Sequence, residues 1–161
     1  MGRSVLAGLG FAALSYGAAA VGVAVMHSRK GSANSPWFRT LRKPSFQPPN
    51  WLFGPVWTVL YGAIAYSGWR IWRTPSSPER TRALGLWGAQ MVLNGAWTPL
   101  FFGAHKPTIA LVDQTALDLA AGLYTYNAAK VDRVAAGAFA PYLGWLGFAT
   151  ALNATIVAKN R

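Results

Sequence analysis

Apolar residues along this chain gather into long blocks, and the charges are pushed to the ends of those blocks. Residues 5–26, 44–69, 83–104 and 134–158 contain no Asp, Glu, Lys or Arg, and 107–129 is interrupted only by Asp113 and Asp118. Each block equals or exceeds the roughly 20 residues that a helix needs to cross the hydrocarbon core of a bilayer. Backbone N–H and C=O groups in hydrocarbon must be paired within the segment, so blocks of this kind predict helices rather than loops. The pattern predicts an all-α fold, a single membrane domain over 1–161. Its five transmembrane helices fall at about 4–26, 49–72, 83–103, 108–129 and 134–158, forming an integral membrane bundle with an ordered loop between the first and second helices.

The first block could be a cleaved leader, but its apolar run is about twice the 7–15 residues of a signal core, and Met26-His27-Ser28 is a poor cleavage site. A retained helix is expected. Its small residues, Gly8, Gly10, Gly17, Ala18 and Gly22, suit close packing in lipid. Residues 28–50 carry Pro36, Pro44, Pro48 and Pro49 together with Trp37, Phe38 and Phe46, which predicts an ordered cap over one end of the bundle. Pro55 predicts a kink that opens space beside Trp57. The later connections, near 74–78, 105–107 and 130–133, are short, so consecutive helices are expected to be antiparallel neighbours.

Composition agrees: 53% hydrophobic and 14% aromatic residues leave 12% charged, about half the usual share of a soluble domain. A net charge of +11 would suit nucleic acid, but the Lys and Arg residues sit at block ends rather than along one face. Arg29, Lys30, Arg39, Arg42, Lys43, Arg70, Arg73, Arg80 and Arg82 are placed to meet lipid phosphates, so membrane lipid is the expected partner and nucleic acid is not. Seven cations on one side (Arg3, Arg70, Arg73, Arg80, Arg82, Lys130, Arg133) face eight on the other (Arg29, Lys30, Arg39, Arg42, Lys43, Lys106, Lys159, Arg161), which sets no orientation. Without cysteine there is neither a disulfide nor a thiolate metal site, and no metal ligand set is assigned.

Three blocks carry stripes at helical spacing: Phe53, Trp57 and Tyr61; Gln90, Asn94 and Trp97; and Tyr142, Trp145, Ala149 and Asn153. Amides facing hydrocarbon are costly, so the stripes should point inward. Inward-facing aromatics and amides are read in two ways, as interior packing with hydrogen-bond glue or as the wall of a ligand pocket.

Specific residues carry a resemblance. Trp37-Phe38, Leu41, Lys43-Pro44-Ser45, Pro48-Pro49, Trp51, Gly54-Pro55-Val56-Trp57 and Leu60-Tyr61 resemble the first-loop and second-helix signature of the TspO/MBR family. That family includes tryptophan-rich sensory proteins and the mitochondrial translocator protein, also called the peripheral-type benzodiazepine receptor. Gln90, Leu93-Asn94, Ala96-Trp97, Pro99 and Phe101-Phe102-Gly103 resemble its third helix, and Pro141-Tyr142-Leu143, Trp145 and 149–153 its fifth. The resemblance implies a membrane-embedded sensor or carrier that binds tetrapyrroles such as protoporphyrin IX and haem, with a role in tetrapyrrole transport or stress regulation. It implies a pocket formed by Trp57, Tyr61, Asn94, Trp97, Trp145, Ala149 and Asn153, with Trp37 and Trp51 near its lid. Phe53, Gln90 and Tyr142, from the same stripes, complete the candidate ligand-binding set. Stacked indole and phenol rings suit the faces of a flat ligand, and Lys43 or Arg42 would suit its carboxylates. The tetrapyrrole is a ligand here, and no cofactor is required.

The alternative is an enzyme, since some bacterial relatives are described as degrading porphyrin in light and oxygen, which would give catalytic roles to Trp57 and Trp145. Ala154 stands where the animal sterol motif needs tyrosine, so sterol is a weaker expectation than porphyrin. Phe46 and Ile109 also stand where relatives often carry tryptophan. His27 and His105 fall at block ends beside basic residues, an interfacial setting rather than that of haem ligands. Asp113 and Asp118 lie about 140° apart on a helix and do not form one paired site. Asn153-Ala154-Thr155 fits a glycosylation sequon but lies inside a predicted span. Gly85 and Ala89 form a small-residue pair for a close helix contact, within the chain or in the homodimer that the resemblance implies. A multi-pass location in a bacterial membrane or the mitochondrial outer membrane follows from the resemblance.

Overall fold

Helix ends fall where the local sequence can cap or interrupt a hydrogen-bond ladder. The computed structural model describes residues 2–28 and 31–161; Arg29 and Lys30, expected at lipid phosphates, lie outside them. Among the described residues the chain is all-helical: α1 (Gly2–His27), α2 (Pro36–Thr40), α3 (Asn50–Arg73), α4 (Pro78–Thr98), a π-helical segment (Pro99–Gly103), α5 (Pro107–Val131) and α6 (Arg133–Lys159). Ser35 caps α2 by accepting from the Phe38 N–H at 3.3 Å, and Ser77 caps α4 by accepting from the Arg80 N–H at 3.1 Å. Proline follows each cap at the first helical position, where its missing N–H is harmless. Asp132, between α5 and α6, accepts from the N–H groups of Val134 (2.8 Å) and Ala135 (3.1 Å).

Prolines inside helices act differently. α3 runs unbroken through Pro55, which leaves the Trp51 carbonyl without its usual helical donor. At the end of α4, Pro99 cannot donate, and the ladder widens so that the Ala104 N–H reaches the Pro99 carbonyl at 2.8 Å. His105 then takes φ 57, the left-handed region, and turns the chain into α5.

The long helices close into a ring in the order α1, α3, α6, α5, α4. The first loop lies over one end, as its aromatic content predicts. Asn160 at the end of α6 pins it, accepting from the Arg42 N–H at 2.9 Å and donating to the Arg42 carbonyl at 3.0 Å. One neighbour relation differs from expectation: α3 and α4, joined by a short turn, meet only slightly. Small residues let α1 pass between them on the outer side. Gly8 lies beneath Trp69, Gly22 against Thr98, and Ala18 against Gly95, while Trp69 Nε1 donates to the Ser4 carbonyl at 2.9 Å. α3 and α4 instead meet across the interior, where Trp87 Nε1 donates to the Ile64 carbonyl at 3.0 Å. Gly85 and Ala89 lie exposed on the outer face of α4, and a Cβ at Gly85 would meet nothing within 4 Å. That pair therefore makes no close contact inside this chain.

The interior is built from Ile64, Ile71, Trp87, Leu117, Tyr124, Phe139, Tyr142 and Leu146, with a second cluster of Phe38, Phe101, Ala110 and Ile156 beneath the loop. Large apolar residues also face outward, among them Leu6, Leu9, Val59, Val92, Val112, Leu119 and Leu123. By length and composition, α1 and α6 are apolar enough to cross a membrane. α3 and α4 carry arginines in a terminal turn, and α5 carries Asp113, Asp118 and Lys130.

Candidate functional site

A cavity of about 440 Å³ lies inside the ring at the loop end, within the roughly 300–1,000 Å³ of small-molecule sites. One wall comes from α3 and α6. There Phe53 meets Trp145 edge to face at 5.7 Å, Trp57 meets Trp145 at 6.3 Å and 84°, and Trp145 meets Phe148 at 5.4 Å. The facing wall comes from the end of α4 and the π segment, where Trp97 stacks on Phe101 at 4.9 Å and 17°. Widening of the ladder at Pro99 is what presents Phe101 and Phe102 together, 4.8 Å apart, beneath Phe38 of the loop. The ring faces form an apolar slot, and such rings favour flat partners in offset or edge-on contact.

Polar groups at the inner end are fixed by one another. Tyr61 Oη donates to Asn94 Oδ1 at 2.6 Å, and Asn94 Nδ2 donates to Tyr142 Oη at 2.7 Å, which ties α3, α4 and α6 together. The Asn153 amide nitrogen donates to the Pro107 carbonyl at 3.1 Å, while its oxygen accepts from the Leu111 N–H at 3.1 Å and from Trp97 Nε1 at 3.2 Å. Asn153 thus locks the Trp97 ring to the first turn of α5. A third polar group, Gln114, donates from Nε2 to Asp118 Oδ1 at 3.1 Å, and Asp118 Oδ2 accepts from the Thr150 hydroxyl at 2.6 Å.

Of the candidate residues, Phe53, Trp57, Tyr61, Asn94, Trp97, Trp145, Ala149 and Asn153 all line this one cavity. Four do not. Tyr142 is fully buried one step back, reached through Asn94. Gln90, a turn below Asn94, is fully buried, and neither end of its amide has a partner. Trp37 lies behind Phe101, stacked on His105 at 4.2 Å. Trp51 is 71% exposed at the start of α3 and turns away from the lid position that the family pattern implies.

Residues that the stripes did not indicate also line the cavity. Tyr16, Gly22, Val23, Met26 and His27 come from α1, Phe38 and Gln47 from the loop, and Gln114 and Leu117 from α5. His27 is therefore at the cavity rim rather than only at an interface, with Nδ1 2.8 Å from the Val23 carbonyl. The α1 residues carry no stripe signal because glycine and alanine dominate that helix. The Gln114–Asp118 spacing of four residues was a readable signal, since it puts both on one helical face. Arg42 and Lys43 do not line the cavity; the Lys43 ammonium stands 4.4 Å over the ring of Phe38, which does. Among the described residues no group of three or more His, Asp or Glu could hold a metal ion.

Comparison with known proteins gives a consistent result. The profile described as the TspO/MBR family matches residues 11–158. A human protein named "Translocator protein" is 40% identical over 126 residues, 77% of this chain and 75% of the relative. An Archaeoglobus fulgidus protein named "Tryptophan-rich protein TspO" is 41% identical over 132 residues, covering 77% and 80%. A Cereibacter sphaeroides "Tryptophan-rich sensory protein" is 33% identical over 117 residues, covering 73% and 72%.

Proposed function

Because the chain belongs to the TspO/MBR family of membrane proteins, we propose that it is a five-span membrane bundle that binds tetrapyrroles in the aromatic cavity and acts as a sensor or carrier for them. α1, α3, α4 with its π segment, α5 and α6 are the spans, and the outward Leu and Val residues face lipid. The observation that carries this reading is the slot between Trp57–Trp145 and Trp97–Phe101. Its walls are ring faces and edges packed against one another, which suits the apolar face of protoporphyrin IX or haem. Carboxylates on such a ligand would lie toward the loop end, where Arg39, Arg42, Lys43, Lys106 and Lys159 stand without a neighbouring loop carboxylate. The names of the relatives, translocator and sensory protein, accord with carriage or sensing. A second copy of the chain would pack on the outer face of α4 at Gly85 and Ala89.

A second reading is favoured by one feature. Trp57 and Trp145 lie 6.3 Å apart on the same wall, so one bound porphyrin would touch both indoles, as light-driven oxidation of the pigment would require. A protoporphyrin titration of the purified protein separates the two, in darkness and then in light with oxygen, on wild type, Trp57→Phe and Trp145→Phe. Binding is expected to saturate in the dark, with each substitution weakening it about 2- to 10-fold, the range of an aromatic contact worth about 0.5–1.5 kcal/mol. Stable pigment under light supports the sensor or carrier; tryptophan-dependent loss of pigment supports the enzyme. Absence of saturable dark binding overturns both.

A further inference from the structure

Asp118 lies near the middle of α5, where a helix crossing a bilayer is deepest in hydrocarbon and an acidic side chain is most costly. It is held from two helices: the Thr150 hydroxyl of α6 donates to Oδ2 at 2.6 Å, and Gln114 Nε2 of α5 donates to Oδ1 at 3.1 Å. With both carboxylate oxygens accepting, only the nitrogen end of the Gln114 amide can face Asp118. The carbonyl end must then point the other way. Gln114 is 3% exposed and lines the cavity, and its Oε1 accepts no hydrogen bond from the described residues. Two other buried amides that line the cavity differ, because Asn94 and Asn153 have both ends engaged, while Gln90, with neither end engaged, lies below the cavity.

We infer that the cavity reads a hydrogen-bond donor on its ligand through the Gln114 carbonyl, and that Asp118 is the positioning residue that sets the direction of that amide. This rests on the cavity being the ligand site. The ligand class is a flat, largely apolar molecule with an N–H or O–H on its edge. A molecule that presents only an acceptor at that edge meets a second acceptor and is rejected, because both groups are desolvated without a partner.

Carbazole, fluorene and dibenzofuran test this, since the three share one tricyclic shape and differ only in N–H, CH₂ or O at one edge. Dissociation constants are measured by tryptophan quenching for wild type, Gln114→Leu, Asp118→Ala and Asp118→Asn, with protoporphyrin as the control ligand. Dividing each carbazole/dibenzofuran ratio by that of Gln114→Leu cancels partition into detergent. The wild type is expected to favour carbazole by about fivefold or more on this scale, the effect of one net hydrogen bond. Asp118→Ala frees the amide to turn and should lose most of the preference. Asp118→Asn keeps an acceptor oxygen for Gln114 and should restore it, a rescue that a merely structural role for Asp118 would not give. Circular dichroism and melting temperature check that each variant folds.

Preference for dibenzofuran, equal ratios in wild type and Gln114→Leu, or absence of tricycle binding overturns the donor readout. If protoporphyrin still binds in a Trp57-dependent way, the cavity assignment stands and this inference alone falls. If protoporphyrin fails as well, both fall.

Discussion

Replacing Asn94 by leucine is expected to remove the hydrogen-bonded link that joins α3, α4 and α6 at the inner end of the cavity. Tyr61 and Tyr142 are 7% and 0% exposed, and their hydroxyls meet Asn94 at 2.6 and 2.7 Å. Interhelical hydrogen bonds in a membrane contribute about 0.6–1.7 kcal/mol each, so two lost bonds give about 1–3 kcal/mol. The two hydroxyls are then left desolvated, which raises the expected loss to about 2–4 kcal/mol. At about 2–4 °C per kcal/mol for a chain of this size, the melting temperature should fall by about 4–16 °C. Tyr61→Phe removes one bond only and should lower it by about 1–7 °C. The assay is thermal unfolding in detergent, followed by near-ultraviolet circular dichroism of the buried aromatics. The reasoning is refuted if Asn94→Leu melts within about 2 °C of wild type. It is refuted equally if Tyr61→Phe costs as much in the Asn94→Leu background as alone, since the hydroxyl would then have had no bond to lose.

Gly68→Ala should destabilise by about 1–3 kcal/mol, because its Cβ would meet Trp87 Nε1 at 2.6 Å and Phe11 Cδ1 at 2.8 Å. Gly85→Ala, with nothing within 4 Å, should stabilise by up to about 1 kcal/mol through helix propensity; paired melting curves compare them. Burial alone would raise the Asp132 carboxyl, but hydrogen bonds from the Ala135 N–H, the Arg70 guanidinium and the Val134 N–H outweigh it and hold the group below the usual carboxylate range. Its stabilising effect is therefore complete above the unfolded value of about 3.9 and is lost as pH falls through the lower folded value. The gap in melting temperature between wild type and Asp132→Asn should stay constant from about pH 5 to 8 and close below about pH 4. Asn160→Ala should release the loop at Arg42, speeding both entry and escape of protoporphyrin in stopped-flow quenching and exposing the loop to trypsin, with little change at equilibrium.

How much of this could be read beforehand depends on the range of the interaction concerned. Charge-free blocks predicted the helices because unpaired backbone is excluded from apolar surroundings wherever it occurs, which is a local rule. The start of α4 was equally local, since Ser77-Pro78-Glu79 is a cap followed by proline, yet the charged turn after it sets the helix start several residues before the apolar block. The family resemblance and the stripes brought Phe53, Trp57, Tyr61, Asn94, Trp97, Trp145, Ala149 and Asn153 to one place. Periodicity gives the face of a helix but not the depth at which a cavity stops. Gln90 shares the face of Asn94 one turn away and Tyr142 that of Trp145, yet both lie below the cavity in packed interior. The π turn was out of reach for another reason: Pro99 shows that a ladder must be interrupted, not which way the following aromatics will swing.

The position of the cavity follows from where bulk and smallness fall along the helices. At the inner end, α4, α5 and α6 meet through Ala83, Ala121, Ala128, Ala135 and Ala136, all buried. Small side chains at contacts allow helix axes to approach to the short end of the roughly 8–10 Å range. At the loop end α3, α4 with its π segment, and α6 carry Phe53, Trp57, Trp97, Phe101, Trp145 and Phe148, and rings meeting edge to face cannot approach as closely as methyl groups. Contacts through methyl groups thus let the helices come closer at the inner end than rings allow at the loop end, and the Tyr61–Asn94–Tyr142 bridge sits at the inner limit of the cavity. The loop closes over the aromatic end because Phe38 packs on Phe101 and Phe102 while Asn160 fixes Arg42. On this account the cavity is a consequence of aromatic bulk held apart, so trimming a wall ring need not enlarge it. Trp57→Ala would let α3 settle toward α6, whereas Trp57→Phe, which keeps a ring between them, would preserve the slot and remove only part of its stacking surface.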